Sequence, residues 1–569
     1  MLYKRNTEKQ LDIELFKNPT SEYRGTPFWA WNTELDKEEL LWQIEQLKCM
    51  GFGGFHMHSR SGMATKYLSD EFMDLVKACN EKAKKEKMLA WLYDEDRWPS
   101  GAAGGYVTKN PKHRRKNLLF TIKPKDDAVS KEEGIATGKP YFLAAYDIVL
   151  NTDGTLKSAE IIDFEAKARG TKWYAYVCTM GPSGWYNGQT YVDTLSKEAI
   201  DEFIKITYES YEKAVGKDFG ESVPAIFTDE PQFCHKESLP FADSKNDISL
   251  PYTTNFAEDF KEKYGIDLIS KLPELLWDLP DGKPSLVRYY YHDFVCQKFT
   301  ESFSDNCGKW CDEHGICLTG HLMEEDNLLS QTNALGEAMR SYRKFGLPGI
   351  DVLCDGELFT TAKQCQSAVH QYAREGMLSE LYGVTGWDFD FRGHKYQGDW
   401  QAALGVTIRV PHLSWVSMKG SAKRDYPASI SYQSSWYKKY PLIEDHFARL
   451  NTALTRGKPD VKVAVIHPIE SYWLHYGPRE NTAEKRKVLQ ENFDRVTNYL
   501  LFSTIDFDYV SESLLPEQYR KTAESNKLGV GAMTYEAVVV PGLETMRSST
   551  LEILEKFKAG GGKVSKNTF

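Results

Sequence analysis

Long apolar runs are missing from this 569-residue chain. No stretch approaches the roughly 20 apolar residues that a membrane helix needs. The N-terminal "MLYKRNTEKQLDIELF" lacks the apolar segment of a secretory leader. A surplus of positive charge is missing too: 71 Lys and Arg against 81 Asp and Glu give a net charge of −10. That balance leaves nothing to neutralise a nucleic-acid backbone or an anionic bilayer. The short basic clusters "KAKKEK" (82–87) and "PKHRRK" (111–116) sit beside acids and read as solvated faces. There is no CxxC pair and no His-x-x-x-His, and the ten cysteines follow no framework. Those absences argue against a zinc site and a disulfide scaffold, and for free thiols in a reducing compartment. The expectation is a cytoplasmic protein whose partner is neither nucleic acid nor membrane, with a homo-oligomer left open.

Aromatic residues are abundant: 14 Trp, 32 Tyr and 28 Phe, or 13% of the chain. Many stand beside polar residues, as in "FWAWN", "EDRWPSG", "TGWDFDF" and "SYQSSWY". Aromatic faces stack on the C–H faces of sugars while neighbouring acids and amides bond the hydroxyls, and the same residues also fill large cores.

From residue 26 short apolar runs alternate with amphipathic helical stretches. Strand candidates begin at "TPFWAWN", "GGFHMHSR", "MLAWLYDEDRW", "VPAIFTDEP", "GICLTGHLMEED", "PGIDVLCDG", "GMLSELYGVTG" and "VPHLSWVSMKG". Eight alternating units predict a (β/α)8 barrel over 26–440, after an extension of 25 residues. An open doubly wound sheet is the competing architecture, but no glycine-rich phosphate fingerprint follows the first strand. Residues 115–195 alternate like antiparallel strands, with "TDGT" as a turn, and predict a small β insertion. Residues 441–569 repeat the α/β pattern and predict a smaller doubly wound domain. Its end at "GGGKVSKNTF" reads as an incomplete domain or a chain continuing beyond Phe569.

Reacting groups in such barrels sit at the carboxyl ends of the strands. Those ends give Trp31 and Asn32, then His56 and His58, then Asp94, Glu95 and Asp96, then Asp229 and Glu230. They continue with His321, Glu324, Glu325 and Asp326, then Asp351 and Asp355, then Glu380, Trp387 and Asp388, then His412 and Trp415. A ring of carboxylates suits glycoside hydrolysis, in which one acid protonates the leaving oxygen and a second activates water or attacks the sugar. It also suits a hard divalent cation. His56 and His58 alternate and so share one side of their strand, for a transition metal, for substrate or for support. Asp94 and Asp96 contact sugar hydroxyls or pair locally with Arg97. His321, Trp387 and Trp415 are pocket or core.

The stretches "GFGGFHMHSR", "WLYDEDRWPSGAAGG", "TDEP", "GHLMEED", "SELYG", "WDFDFRGHKYQGDWQAALG" and "RVPHLSWVSMKGSAKRDYPASISYQSSW" resemble glycoside hydrolase family 106. That is the α-L-rhamnosidase family with its bacterial relatives, and the resemblance spans about residues 18 to 480. The part after residue 460 resembles the amidotransferase-like domain that follows the barrel in family 42 β-galactosidases. The resemblance implies an inverting hydrolase acting on a terminal α-L-rhamnose or related deoxy-sugar, with calcium near the sugar. It implies Glu230 as general acid and Glu325 (or its neighbour Glu324) or Glu380 as base. Glu324, Asp355 and Glu380 are the expected calcium ligands. Trp31, Asn32, His56, His58, Asp94, Asp96, Asp229, His321, Trp387, Arg392, His412 and Trp415 are the expected sugar contacts. The resemblance adds the loop charges His394, Lys423, Arg424 and Asp425. Three other readings stay open: a retaining β-galactosidase-like hydrolase with Glu230 as acid and Glu380 as nucleophile, a metal-dependent sugar isomerase or epimerase, and a non-catalytic sugar-binding barrel.

Overall fold

The computed structural model describes residues 2–3, 10–420 and 428–567. Its main sheet holds eight parallel strands in chain order: Phe28–Trp31, Gly54–Ser59, Leu89–Tyr93, Ala225–Thr228, Cys317–Gly320, Leu347–Val352, Met377–Leu381 and Val406–Pro411. Residues Ser414–Trp415 continue the eighth strand and pair with the first, Trp29 opposite Ser414 and Ala30 opposite Trp415. The sheet therefore closes into the expected (β/α)8 barrel. Local sequence explains the alternation. Asp36 and Ser69 cap the helices Lys37–Cys49 and Asp70–Glu86 by accepting backbone N–H bonds from Glu39 and Phe72. The second of these helices stops at Lys87 in a left-handed turn.

Side-chain parity sorts the strands into two faces. Phe28, Trp91, Tyr93, Phe227 and Trp415 share one apolar cluster inside the barrel, whereas Trp29, Trp31 and Phe55 join the shell beneath the helices. His56 and His58 lie opposite Phe28 and Ala30 in register, so they point inward as the alternation predicts.

The β insertion between the third and fourth strands is a five-stranded antiparallel sheet. Its order is Leu156–Ile162, Tyr141–Leu150, Thr171–Thr179, Lys116–Thr121, Ile248–Tyr252. The expected turn at "TDGT" joins two of these strands, with Gly154 at φ +81°. The fifth strand comes from the loop after the fourth barrel strand and was not expected. Pro251 disguises it, and an edge position is where a sheet tolerates proline.

The last unit is a parallel sheet ordered Phe507–Val510, Val463–Ile466, Ala537–Pro541, Lys563–Asn567, a doubly wound arrangement. All ten cysteines are free thiols. No helix among the described residues is long and apolar enough to cross a membrane.

The barrel seam is held by a buried ion pair. Arg409 on the eighth strand donates to Glu444 at 2.5 Å, and Glu444 also accepts the Gly25 N–H at 2.8 Å. A Cβ on residue 25 would meet a Glu444 carboxylate oxygen at 2.8 Å and force the ion pair to shift. Removing one partner of a buried pair strands the other charge. We expect Glu444→Ala to lose about 3–5 kcal/mol in urea unfolding, and Arg409→Met/Glu444→Leu to recover much of it.

Candidate active site

Five strand tips converge on one small pocket. Asp229 and Glu230 follow the fourth strand, His321 the fifth, and His412 the eighth. Asp351 and Glu380 lie within the sixth and seventh. With Arg60, Trp98, Leu353 and Val384, all of these but His321 line a cavity of about 60 Å³. A water needs about 10–15 Å³, so the space suits one end of a single sugar rather than an oligosaccharide.

The geometry is fixed by groups that already have work to do. His321 Nε2 donates to Glu380 Oε2 at 2.8 Å and lies 3.5 Å from Asp229 Oδ1. His412 Nε2 lies 3.8 Å from the other Glu380 oxygen. Tyr93 donates to Asp229 Oδ2 at 2.5 Å, and His58 stacks on the Tyr93 ring at 3.9 Å. Gly320 makes room for this arrangement: its φ is +116°, and a Cβ there would lie 1.9 Å from the Thr228 carbonyl oxygen. Around the pocket Glu230, Cys354, Tyr382 and Val384 all have φ between +47° and +74°. Left-handed non-glycine residues cost on the order of 1–3 kcal/mol each and gather at functional sites.

Electrostatics then divides the carboxyl groups. Burial pushes Glu230 up to about 8, helped by the neighbouring Asp229 charge. Burial raises Asp229 as well, with Glu380 adding to it. Asp351 rises well above the carboxylate range through burial and the Glu380 charge. Glu380 goes the other way. Burial opposes its ionisation, but the hydrogen bond and charge of His321, then His412 and Arg60, hold it below the usual glutamate range. Burial works against a charged His321, yet Asp351, Glu380 and Asp229 keep it protonated. The result is a protonated Glu230 and an ionised Glu380 on one pocket.

Of the expected catalytic residues, Glu230 and Glu380 meet there and Glu325 does not. Both Glu325 oxygens are committed, one to the Tyr342 hydroxyl (2.7 Å) and the Leu322 N–H (3.2 Å), the other to the Asp351 N–H (3.1 Å). It braces the fifth strand against the sixth.

Among the expected sugar contacts, Asp229 and His412 line the cavity and His321 holds its carboxylates. Trp31 does not: it packs edge-on against Phe72 beneath the helices. Asn32 clamps the Ser417 backbone with both amide atoms (2.7 and 2.9 Å). His56 is sealed in the barrel on the Thr26 carbonyl (3.0 Å), and burial keeps both it and His58 neutral. Asp94 accepts from Ser100 and Tyr208, and Asp96 pairs with Arg97 at 3.1 Å. Trp415 is core beneath Arg60. Trp387 is 52% exposed and outside the cavity, and Arg392 is exposed beside Asp390. His394 is buried and stacked on Tyr382. Lys423, Arg424 and Asp425 lie outside the described residues.

The sequence reading passed over Arg60, Trp98, Tyr93 and any role for Asp351. Arg60 continues the alternation of His56 and His58, and Trp98 stands in "EDRWPSG" with the Arg60 guanidinium 4.8 Å over its ring. Glu95 explains the glycines of that stretch, because its carboxylate accepts the backbone N–H groups of Asp96, Gly101, Ala102, Ala103 and Gly104.

The expected calcium ligands do not converge. Glu324 is exposed and 3.7 Å from His235, and Asp355 is exposed; only Glu380 belongs to the pocket. Among the described residues, two groups bring donor atoms within 4.8 Å of one another: Asp229, His321 and Glu380, and Glu230, His321 and Asp351. Both need His321, an imidazole that already gives its Nε2 proton to Glu380, whereas calcium takes oxygen ligands. The predicted donor set does not fit calcium.

No protein-family model and no curated protein sequence matches the chain. Solved structures do. A rhamnosidase from Novosphingobium sp. PP1Y superposes with a TM-score of 0.66 at 14% identity, covering 98% of this chain and 70% of its own. The β-galactosidase of the haloarchaeon Halorubrum lacusprofundi gives 0.54 at 13%, over 96% and 72%. That of Rahnella sp. R3 gives 0.52 at 12%, over 97% and 71%. At these identities the likeness is one of fold, a glycoside hydrolase fold shared over nearly the whole of this chain.

Proposed function

We propose that the protein is a glycoside hydrolase that removes a terminal sugar, with Glu230 as general acid and Glu380 as the ionised carboxylate that activates water or attacks the sugar. The observation that carries this reading is the opposite protonation of Glu230 and Glu380 on one cavity. Pairs of carboxyls driven apart by their surroundings mark acid and base roles. Glu230 holds the proton for the leaving oxygen, and Asp229 keeps that proton in place by repulsion. His321, hydrogen-bonded to Glu380, holds its charge and orientation, and Arg60 adds positive charge. Trp98 offers an aromatic face at the rim. Leu353 and Val384 give the wall an apolar patch, which suits the methyl group of a deoxy-sugar such as α-L-rhamnose. The structural likeness to a rhamnosidase agrees with that choice.

A panel of aryl glycosides that includes the α-L-rhamnoside tests the substrate. Proton NMR of the first-formed anomer separates inversion, which we expect, from retention with Glu380 as nucleophile. The panel run with and without a calcium chelator tests for a cation held by donors other than Glu324 and Asp355.

Two outcomes follow from the pair. The kcat/KM profile should fall on the alkaline side as pH rises through about 8, where Glu230 loses its proton. Its acid limb should lie below the usual glutamate range, where Glu380 takes one up. Glu230→Gln should lower kcat by about 10²–10⁴-fold and remove the alkaline limb, with the smallest loss for leaving groups that need no proton. Native-like activity in Glu230→Gln would reject the assignment and favour a non-catalytic barrel.

A further inference from the structure

The sixth barrel strand outruns the fifth. Their ladder pairs Thr319 with Leu347 and Gly320 with Pro348 and then stops, while the sixth strand stays paired to the seventh as far as Val352. Asp351 therefore has no partner on the fifth strand, and the Glu325 carboxylate takes that place. One of its oxygens accepts the Asp351 N–H at 3.1 Å, the other the Leu322 N–H at 3.2 Å and the Tyr342 hydroxyl at 2.7 Å. These main-chain bonds matter because the side chains beside them are thinly held. Among the described residues His321 Nδ1 and Asp351 Oδ1 have no hydrogen-bond partner, and His321 has only its Nε2 bond to Glu380. The stance of both groups at the pocket rests on their backbone, which Glu325 ties down on both segments.

Glu325 is held in turn from the C-terminal unit. Its carbonyl oxygen accepts the side-chain amides of Gln331 (3.2 Å) and Gln364 (3.1 Å). Gln364 Oε1 accepts from Gln331 at 3.0 Å and from His467 Nε2 at 2.8 Å. His467 follows the strand Val463–Ile466 of the C-terminal unit. Its Nδ1 accepts the Ile469 N–H (3.4 Å), which leaves the ring proton on Nε2, toward Gln364. Burial keeps this imidazole neutral, pushing it down to about 4. His467, Gln364, Gln331 and Glu325 are each 3% exposed or less, and in such a buried network every bond counts for more than in water. Without the His467 donor, Gln364 Oε1 keeps one of its two partners, and the amide that grips the Glu325 carbonyl loses its anchor across the boundary.

We propose that His467 is a positioning residue: through Gln364 and Glu325, the C-terminal unit fixes where His321 and Asp351 stand at the barrel's pocket. It touches no sugar. It sets the imidazole that holds Glu380 in place, so the C-terminal unit is part of the pocket's support. The effect on turnover rests on the reading of Glu230 and Glu380 as an acid–base pair, whereas the effect on the backbone does not.

Two measurements on the whole chain separate these effects. Hydrogen-exchange mass spectrometry reads the peptides that carry the Leu322 and Asp351 amides. Exchange there should quicken about three- to tenfold in His467→Ala and in Gln364→Met, the cost of one buried hydrogen bond. It should return to the wild-type rate in His467→Gln, whose amide N–H replaces Nε2. Gln371→Leu, which breaks a different bond across the same boundary, should leave these peptides unchanged. On whichever aryl glycoside the wild type cleaves best, kcat should fall by about the same factor in the first two variants, with KM little changed and His467→Gln restoring it. If His467→Ala fails to fold by circular dichroism, Gln364→Met decides. Exchange unchanged in the folded variants, or raised equally in Gln371→Leu, overturns the proposal, and so does a kcat unmoved where exchange has risen. A wild type that cleaves no glycoside rejects the acid–base reading alone and leaves exchange to decide the positioning.

Discussion

One imidazolium among four carboxyl groups governs the mouth of this barrel. Asp229, Glu230, Asp351 and Glu380 are drawn into a space too dry to hold four negative charges, and His321 is the cation that decides which of them ionises. Glu380, in direct hydrogen-bond contact, takes the charge; Glu230 keeps its proton. The surrounding structure serves that contact. Phe28 packs edge-on to His58, His58 stacks on Tyr93, and Tyr93 holds Asp229 beside the imidazole. The barrel interior is thus a stack of aromatic rings that carries position upward from the core to the pocket carboxyl groups.

Much of this was legible because strands have a strict period of two. The alternation of His56 and His58 put both on one side, and that side proved to be the interior. The same parity, applied with the histidines as reference, would have placed Trp29 and Trp31 on the outer face and brought Arg60 in. The acids at the fourth and seventh strand tips were readable for a related reason: a strand end in a barrel has one place to point. The reading failed where the deciding partner is distant in sequence. Nothing near Glu325 announces that Tyr342 and the Asp351 N–H will occupy both its oxygens. Nor do exposed Glu324 and Asp355 reveal that their loops turn them away from Glu380. Local pattern fixes which face a residue takes, and only tertiary contact says whether that face is still free.

The C-terminal unit accounts for another pattern that local reasoning misjudges. The helix Phe359–Gln371, after the sixth strand, buries Lys363, Gln364, Gln366, Ser367 and Gln371. Alone that face would be solvated. Here Lys363 meets Asp506 (2.7 Å), Gln364 bonds His467 (2.8 Å) and Gln371 donates to the Tyr509 carbonyl (2.7 Å). The polar face is the contact surface between the two units, with Lys363, Gln364, Ser367 and Gln371 each bonded across the boundary.

The barrel seam bears on how the protein is made. His412, which adjoins Glu380, stands between the segment that pairs with the seventh strand and the segment that pairs with the first. The clamp over that seam, Glu444, joins Gly25 to Arg409 across most of the barrel sequence. A chain emerging from the ribosome therefore carries both pocket glutamates, Glu230 and Glu380, before the seam can shut. Until the helix bearing Glu444 has left the exit tunnel, the first strand waits as an open edge, and the growing polypeptide is a half-wound sheet in need of shelter.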